Sequence, residues 1–433
     1  MRVPILLFVS AFTVVAAAAA LPRVPLGGGG DWIEQKALPN DGAAQDQFGR
    51  AVVVDRDLAL IASPNATVDG HEGQGAVYAF HRNGGTWTQT QKIVSSDGAG
   101  GDAFGISVAI EGTTAIVGAY SKGKFRGAAY VFAYDGDTWS ETQKLVPADQ
   151  QDFDQFAWSV ALDGSTALIG AIGVTWGDQG GGQGAVYAFT ESGGTWTQSD
   201  KFTSDDGLPA DSFGWSVALD GDRAVVGTGF VTIDGTEFQG AAYTFDASGG
   251  AWAETQKLTA SNGASFDFFG LAVAIEGDTI LVGADGAATD GDPFSNQGAA
   301  YVFTHDGSAW SEVQQLAPAE SGASDGFGEW IALEGDHAVI GAPGVTVDKH
   351  ESQGAAFLFT RSSGIWSETQ RFVASDGAEF DQLGWEVAIS GDTLLAGAYG
   401  ATVDDRAGQG AAYFWDLPAP DIVFADGFDG AAR

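Results

Sequence analysis

Carboxylates are the side chains of this 433-residue chain whose type and spacing could do chemistry. Two sets recur. Asp46, Asp102, Asp154, Asp211, Asp267, Asp325 and Asp381 each lie two residues before a Phe-Gly dipeptide or its equivalent. Asp69, Asp178, Asp234, Asp292, Asp348 and Asp404 each lie six residues before a glycine, with Ser121 in the corresponding seventh place. Gathered on one face, these carboxylates would make a site for cations or a polyhydroxylated ligand. The plainer reading is that Asp accepts backbone N–H bonds in tight turns and recurs because the turns recur. That reading is preferred for the first set. The second set keeps a ligand- or cation-binding role as an expectation, because its loops vary in length and sequence and binding residues usually sit on such loops.

Other chemistry is scarce. Without cysteine there is no thiol nucleophile, and His71, His81, His305, His337 and His350 show no metal-ligand spacing. Phe213-Gly214-Trp215-Ser216-Val217 reads as an inner strand, lacking the strand-turn-helix context of a nucleophile elbow. His71-Glu72 and His350-Glu351 occupy corresponding loops and read as surface pairs. No catalytic residue is assigned. A pair of carboxylates for glycoside hydrolysis stays open only because Asp is so abundant.

The elements that must position these residues follow from a repeat. Trp32, Trp87, Trp139, Trp196, Trp252, Trp310 and Trp366 are separated by 55, 52, 57, 56, 58 and 56 residues. A period in this range means copies of one supersecondary unit. In residues 104–145, Phe104 to Ile110 alternates as a strand, Glu111-Gly112-Thr113 turns, and Thr114 to Ala119 returns. Gly127 to Phe132 is a third strand, and Trp139 to Leu145 a fourth. Four antiparallel strands in a meander form a propeller blade.

First strands begin at Phe48, Phe104, Phe156, Phe213, Phe269, Phe327 and Leu383, giving seven copies. The fourth strand of the last copy is missing at its end, whereas Trp32 to Leu38 precedes the first copy. An all-β, seven-bladed propeller is therefore expected, closed by the N-terminal strand completing the last blade.

Composition bounds the rest. The formal net charge is −38, which excludes nucleic acid and anionic lipid as partners. Arg2, the apolar run Ile5 to Val15 and the small residues Ala16 to Ala20 read as a signal peptide over residues 1–20. Its loss leaves no membrane span expected in the mature chain. Residues 21–30 read as a Gly-rich linker, 31–416 as the propeller, and 417–433 as a Pro-containing acidic tail without assigned role. The chain is expected to be exported, whether periplasmic, cell-surface or extracellular, and monomeric.

Phe104-Gly105, Gly118-Ala119 and Gly127-Ala128 in one copy, and Phe269-Gly270, Gly283-Ala284 and Gly298-Ala299 in another, resemble the FG-GAP repeat of integrin α-chain propellers and exported bacterial proteins. Gly341-Ala342-Pro343 spells the motif literally, while Ala157 and Leu383 depart from it. The resemblance implies an integrin-like propeller and a role in adhesion. It does not carry calcium over, because Glu111-Gly112-Thr113, Asp220-Gly221-Asp222 and Glu276-Gly277-Asp278 replace the family's longer Asp-rich loop. Calcium stays open as a ligand of the acidic loops, and no other cofactor is expected. Glycine pairs precede the tryptophans here rather than the tyrosines, which argues against kelch repeats.

Three functions from different classes remain. The first is a binding or adhesion module presenting Asp-rich loops to a protein, glycan or cation. The alternatives are a hydrolase or lyase with carboxylates at the propeller mouth, and a structural envelope scaffold.

Overall fold

In the computed structural model, residues 12–14, 32–175, 181–249, 251–289 and 295–417 are described. Seven sheets, each built on four antiparallel strands and one of them carrying a fifth strand at its inner edge, are arranged in a ring. Blade 2 shows the plan: Val108–Glu111 innermost, then Thr114–Ala119, Ala128–Tyr134 and Trp139–Leu145 outermost. Each innermost strand packs against the innermost strands of both neighbours, and Val387–Ser390 of blade 7 packs against Val52–Asp55 of blade 1.

Closure occurs as the repeat count requires. Ile33–Ala37 pairs antiparallel with Ala411–Asp416, Ile33 opposite Asp416 and Ala37 opposite Ala412, so the chain's beginning supplies the outermost strand of blade 7. Trp32 packs edge-on against Phe372 of blade 6, 5.1 Å between centroids. Phe12–Val14, inside the expected signal segment, pairs in parallel with Ser159–Ala161 on the innermost strand of blade 3.

The start of the first strand differs from the sequence expectation. Residues 104–107 are turn and bend, and the ladder begins at Val108. A doubled bond pattern explains this. Gly105 N–H donates to Gly118 O while Gly118 N–H donates to Ser107 O, leaving Ile106 bulged out of the ladder. Only in blade 3 does the strand run from Phe156, and there too the register slips before Val160.

The Phe-Gly motif is a contact between blades. The backbone of each Phe crosses the glycine that opens the third strand of the preceding blade, as in the parallel bridges Gly127 to Phe156, Gly240 to Phe269 and Gly410 to Phe48. A Cβ on Gly240 would come within 2.5 Å of the Phe269 nitrogen and closer still to its carbonyl oxygen, so only glycine fits.

Farther out, amide side chains imitate a ladder. Gln91 Oε1 accepts from Trp139 N and Gln91 Nε2 donates to Trp139 O, at 2.7 and 2.8 Å. Gln35, Gln143, Gln256 and Gln314 do the same for Trp87, Trp196, Trp310 and Trp366. The tryptophans fill the gaps between outer strands as expected. Trp87 stacks on Phe414 of blade 7 at 4.3 Å and donates from Nε1 to Asp416 at 3.0 Å.

Candidate functional site

The fourth-to-first and second-to-third loops share one face, held together by bonds such as Gly101 N to Glu72 O and Phe104 N to Gln74 O, both 2.9 Å. Both sets of Asp residues lie there, but with different work to do. In the first set every carboxylate is buried and accepts from the backbone N–H three residues earlier: Asp46 from Ala43, Asp102 from Ala99, Asp154 from Gln151, Asp211 from Leu208, Asp267 from Ala264, Asp325 from Gly322 and Asp381 from Ala378. Burial pushes Asp46, Asp154, Asp211, Asp267, Asp325 and Asp381 above the usual carboxylate range, with those N–H bonds partly opposing it. These are turn-forming residues.

Of the second set, Asp178 and Asp292 lie outside the described residues. Asp69, Asp234, Asp348 and Asp404 are exposed and occupy the same position in four small hairpins, each closed by a bridge such as Val68 to His71 or Val403 to Arg406. All four have φ between 49° and 50°, a left-handed conformation that Asp tolerates. That local requirement explains their recurrence. Their carboxylates are not brought together, and among the described residues no group of three or more acids or histidines could hold a metal ion. Asp404 is paired at 3.2 Å with Arg406.

Another repeated constellation escaped the sequence reading. Asp41, Asp97, Asp149, Asp206 and Asp376 each accept from a tyrosine hydroxyl and a lysine amine: Tyr78 and Lys92, Tyr130 and Lys144, Tyr187 and Lys201, Tyr243 and Lys257, and Tyr413 and Lys36. Burial raises Asp97, but the bonds from Lys144 and Tyr130, with Lys122 nearby, outweigh it and bring it to about 2. The acids and bases here are fully committed to one another. The same holds in a cleft of about 500 Å³ over blade 3, where Asp149, Asp152 and Asp154 are already bonded to Lys201, Arg126 and the Gln151 N–H.

Two groups of residues on this face depart from the repeat. The first is a rim of phenylalanines. Phe153, Phe266 and Phe380, the residues just before the buried Asp in three blades, are 61, 42 and 58 % exposed. Their φ values are 71°, 68° and 64°, and Gln45, Gly101, Ala210 and Ser324 fill the same left-handed position elsewhere. A bulky ring is costly there on two counts, backbone strain and exposure to water. Phe125 stacks on Phe153 and Phe238 tilts against Phe266, extending the apolar rim.

The second group surrounds the axis. The bulged residue after each Phe-Gly position is Arg50, Ile106, Trp158, Trp215, Leu271, Glu329 or Trp385, although the residue two places on is always Val or Ile. Arg50 of blade 1 lies 4.6 Å from the Trp385 ring and 5.3 Å from the Tyr399 ring, both in blade 7. It also interacts electrostatically with Glu386 of blade 7, Tyr120 of blade 2 and Glu329 of blade 6. Blades 1 and 6 are not neighbours, so this reach requires convergence near the axis. Tyr120 packs edge-on against Trp158, 5.2 Å away, and Trp158 lies 4.7 Å from Trp215. Across the ring Asp285 is hydrogen-bonded to Glu329, and burial followed by the Glu329 charge holds Asp285 well above the ordinary range.

Polar atoms in this axial ring go unsatisfied. Arg50, Trp158 and Trp385 are 4, 1 and 8 % exposed, yet Arg50 Nη1 and both indole Nε1 atoms have no hydrogen-bond partner, nor does Asp285 Oδ1. Each such buried group costs about 1–3 kcal/mol. Burial pushes the Arg50 pKa down, opposed by Tyr399, Glu386, Glu329 and Tyr120. The signal that could have found this ring is the variability of one position inside otherwise uniform repeats.

No helix among the described residues is long and apolar enough to cross a membrane. Comparison with curated proteins finds no match. The FG-GAP repeat matches seven times, over residues 32–80, 87–132, 139–189, 196–245, 252–303, 310–359 and 366–414. Each match runs from the outermost strand of one blade to the third strand of the next, so with most of its length inside these seven copies the chain belongs to the FG-GAP repeat family.

Proposed function

We propose that the chain is an exported binding or adhesion module that engages a protein or glycan through the loop-rich face. One observation carries this reading: three exposed phenylalanines stand at left-handed backbone positions where glycine, alanine or serine serves other blades equally well. Ring contacts with Phe125 and Phe238 cover only part of Phe153 and Phe266, and the three rings keep much of their surface in water, which contact with a ligand would bury. The signal-like residues 1–20 and the acidic surface support export and a partner outside the nucleic-acid class. FG-GAP propellers generally mediate protein interactions, which agrees with this assignment by analogy alone.

The exposed Asp69, Asp234, Asp348 and Asp404, together with Asp178 and Asp292 outside the described residues, remain candidates for the ligand or cation contacts of that face, calcium included. A hydrolase is the second reading, and the raised Asp285 beside Glu329 is what favours it. However, the two carboxyls are hydrogen-bonded to each other, closer than the roughly 5–9.5 Å that glycoside chemistry uses. Probing protein and glycan arrays with the purified protein, with and without Ca²⁺, tests the proposal. Specific capture that F266A and F380A both weaken is expected, and capture of nothing in either condition contradicts it.

A further inference from the structure

The geometry points to the blade 4 to blade 5 sector of the loop-rich face as the docking site for a segment of a partner protein that carries an apolar side chain between lysines or arginines. This rests on the reading that the loop-rich face binds a ligand, and it names the kind of partner met there.

Two loops build the sector. The second-to-third loop of blade 4 brings Phe230 and Phe238, and the chain entering blade 5 brings Phe266 and Phe268. Backbone bonds hold the loops side by side, Phe266 N to Glu237 O at 2.9 Å and Phe268 N to Phe238 O at 3.1 Å. The rings form one cluster. Phe238 lies 5.5 Å from Phe266 and 6.2 Å from Phe268, and Phe230 lies 6.0 Å from Phe268. Phe230 also packs edge-on against the buried Trp215, 4.8 Å away, which ties the cluster to the core. Phe266 is exposed, and the other three are half-buried.

The framework does not require these rings. One blade earlier the positions of Phe238, Phe266 and Phe268 hold Gly182, Ala210 and Ser212, with φ of 76°, 70° and 59° against 52°, 68° and 54° here. The same bonds form there, Ala210 N to Gly181 O and Ser212 N to Gly182 O. Three phenylalanines thus occupy a left-handed backbone that smaller residues adopt at lower cost. A rigid aromatic cluster open to water is what protein interfaces use as an anchor.

The surroundings select the partner. Four phenyl rings offer no hydrogen-bonding group, so a hydroxyl-rich ligand would lose water there without replacement, whereas an apolar side chain gains by burial. The loop segments 203–214, 229–240, 259–270 and 317–328 contain no lysine or arginine, while Asp234 and Glu237 stand exposed on the loop of Phe238. Lys257, on the outermost strand of blade 4, is engaged with Asp206 at 2.6 Å. The other exposed phenylalanines differ. Phe125 sits between Lys124 and Arg126 in sequence, and Phe380 donates its N–H to Glu351 O, two residues from Lys349. In the blade 4 to blade 5 sector a partner's cations meet carboxylates and ring faces without a competing positive charge on these loops.

Fluorescence anisotropy with three labelled hexapeptides at physiological salt tests this: Lys-Lys-Leu-Phe-Lys-Lys, its twin with glutamate for every lysine, and hexalysine. The lysine peptide with the apolar centre should bind, the glutamate twin should not, and hexalysine should bind at least about tenfold more weakly. F266A and F238G install residues found one blade earlier, so the melting temperature should hold while affinity for the lysine peptide falls about tenfold. E237K, which leaves the rings in place, should weaken it as well.

The inference is overturned if the lysine peptide does not bind, if hexalysine binds as tightly, or if F266A and F238G or E237K keep the parental affinity. Array capture of a glycan or an acidic protein that F266A and F380A weaken, together with no binding of the lysine peptide, would leave the face reading standing and remove this partner assignment alone.

Discussion

Gly240→Ala tests the blade-to-blade contact in isolation, because Gly221 of the same blade supplies an internal control. Both glycines have positive φ, +84° and +59°, so alanine at either carries the left-handed cost of about 1–2 kcal/mol. They differ in space. No atom lies within 4 Å of a Cβ built on Gly221, whereas one on Gly240 meets the Phe269 nitrogen at 2.5 Å and the neighbouring carbonyl closer still. Those atoms belong to backbone that cannot rotate away, so the next blade must shift, adding about 1–3 kcal/mol or more. Equilibrium urea unfolding should place G221A about 1–2 kcal/mol below the parent and G240A about 2–5 kcal/mol below it. Equal destabilisation of the two variants, within about 0.5 kcal/mol, would refute the claim that Phe-Gly is a contact between blades.

Asp211→Ala leaves the Leu208 N–H without its acceptor and should cost about 1–3 kcal/mol by urea unfolding, although the residue makes no ligand contact. Deleting residues 1–38 removes the strand paired with Ala411–Asp416 and should give a lower melting temperature and concentration-dependent association through the opened edge, read by light scattering. Trp196→Ala should cost roughly 3–5 kcal/mol, as a buried tryptophan between outer strands. Stability against pH should show two opposing phases. The six turn aspartates have folded pKa values above the unfolded one, so the folded state takes up protons first and gains stability as pH falls toward 3.8. Asp41, Asp97, Asp149, Asp206 and Asp376 have lowered values, so their contribution is present above 3.8 and is lost as pH drops toward about 2, the value for Asp97. A melting-temperature series from pH 7 to pH 2 should therefore peak in the acid range before falling, and a monotonic decline from neutrality would contradict these directions.

The architecture was legible because it rests on local rules that recur. Phe-Gly, Gly-Ala and tryptophan each mark a packing constraint that every blade must meet, so spacing alone counted the blades and placed the closing strand within Trp32 to Leu38, where the structure has Ile33–Ala37. The bulge at Ile106 was not legible. Alternation of apolar residues from Phe104 to Ile110 reads the same whether Gly105 continues a strand or, at φ +94°, breaks it. The Lys-Asp-Tyr groups were hidden by distance, since Asp97, Tyr130 and Lys144 meet only after the chain has turned through two strands. Asp69 and its equivalents were visible as a pattern, but the pattern is explained by a turn with φ near 50°. Arg50, Trp158 and Trp385 were overlooked because attention to a repeat favours what recurs. At the axis the informative residues are the ones that do not.

The most direct test of the account is a crystal structure of the protein with the ligand that the arrays identify. A ligand seated on the loop-rich face against Phe153, Phe266 or Phe380 is the predicted result. A ligand seated only on the opposite face or at the outer strands would contradict it.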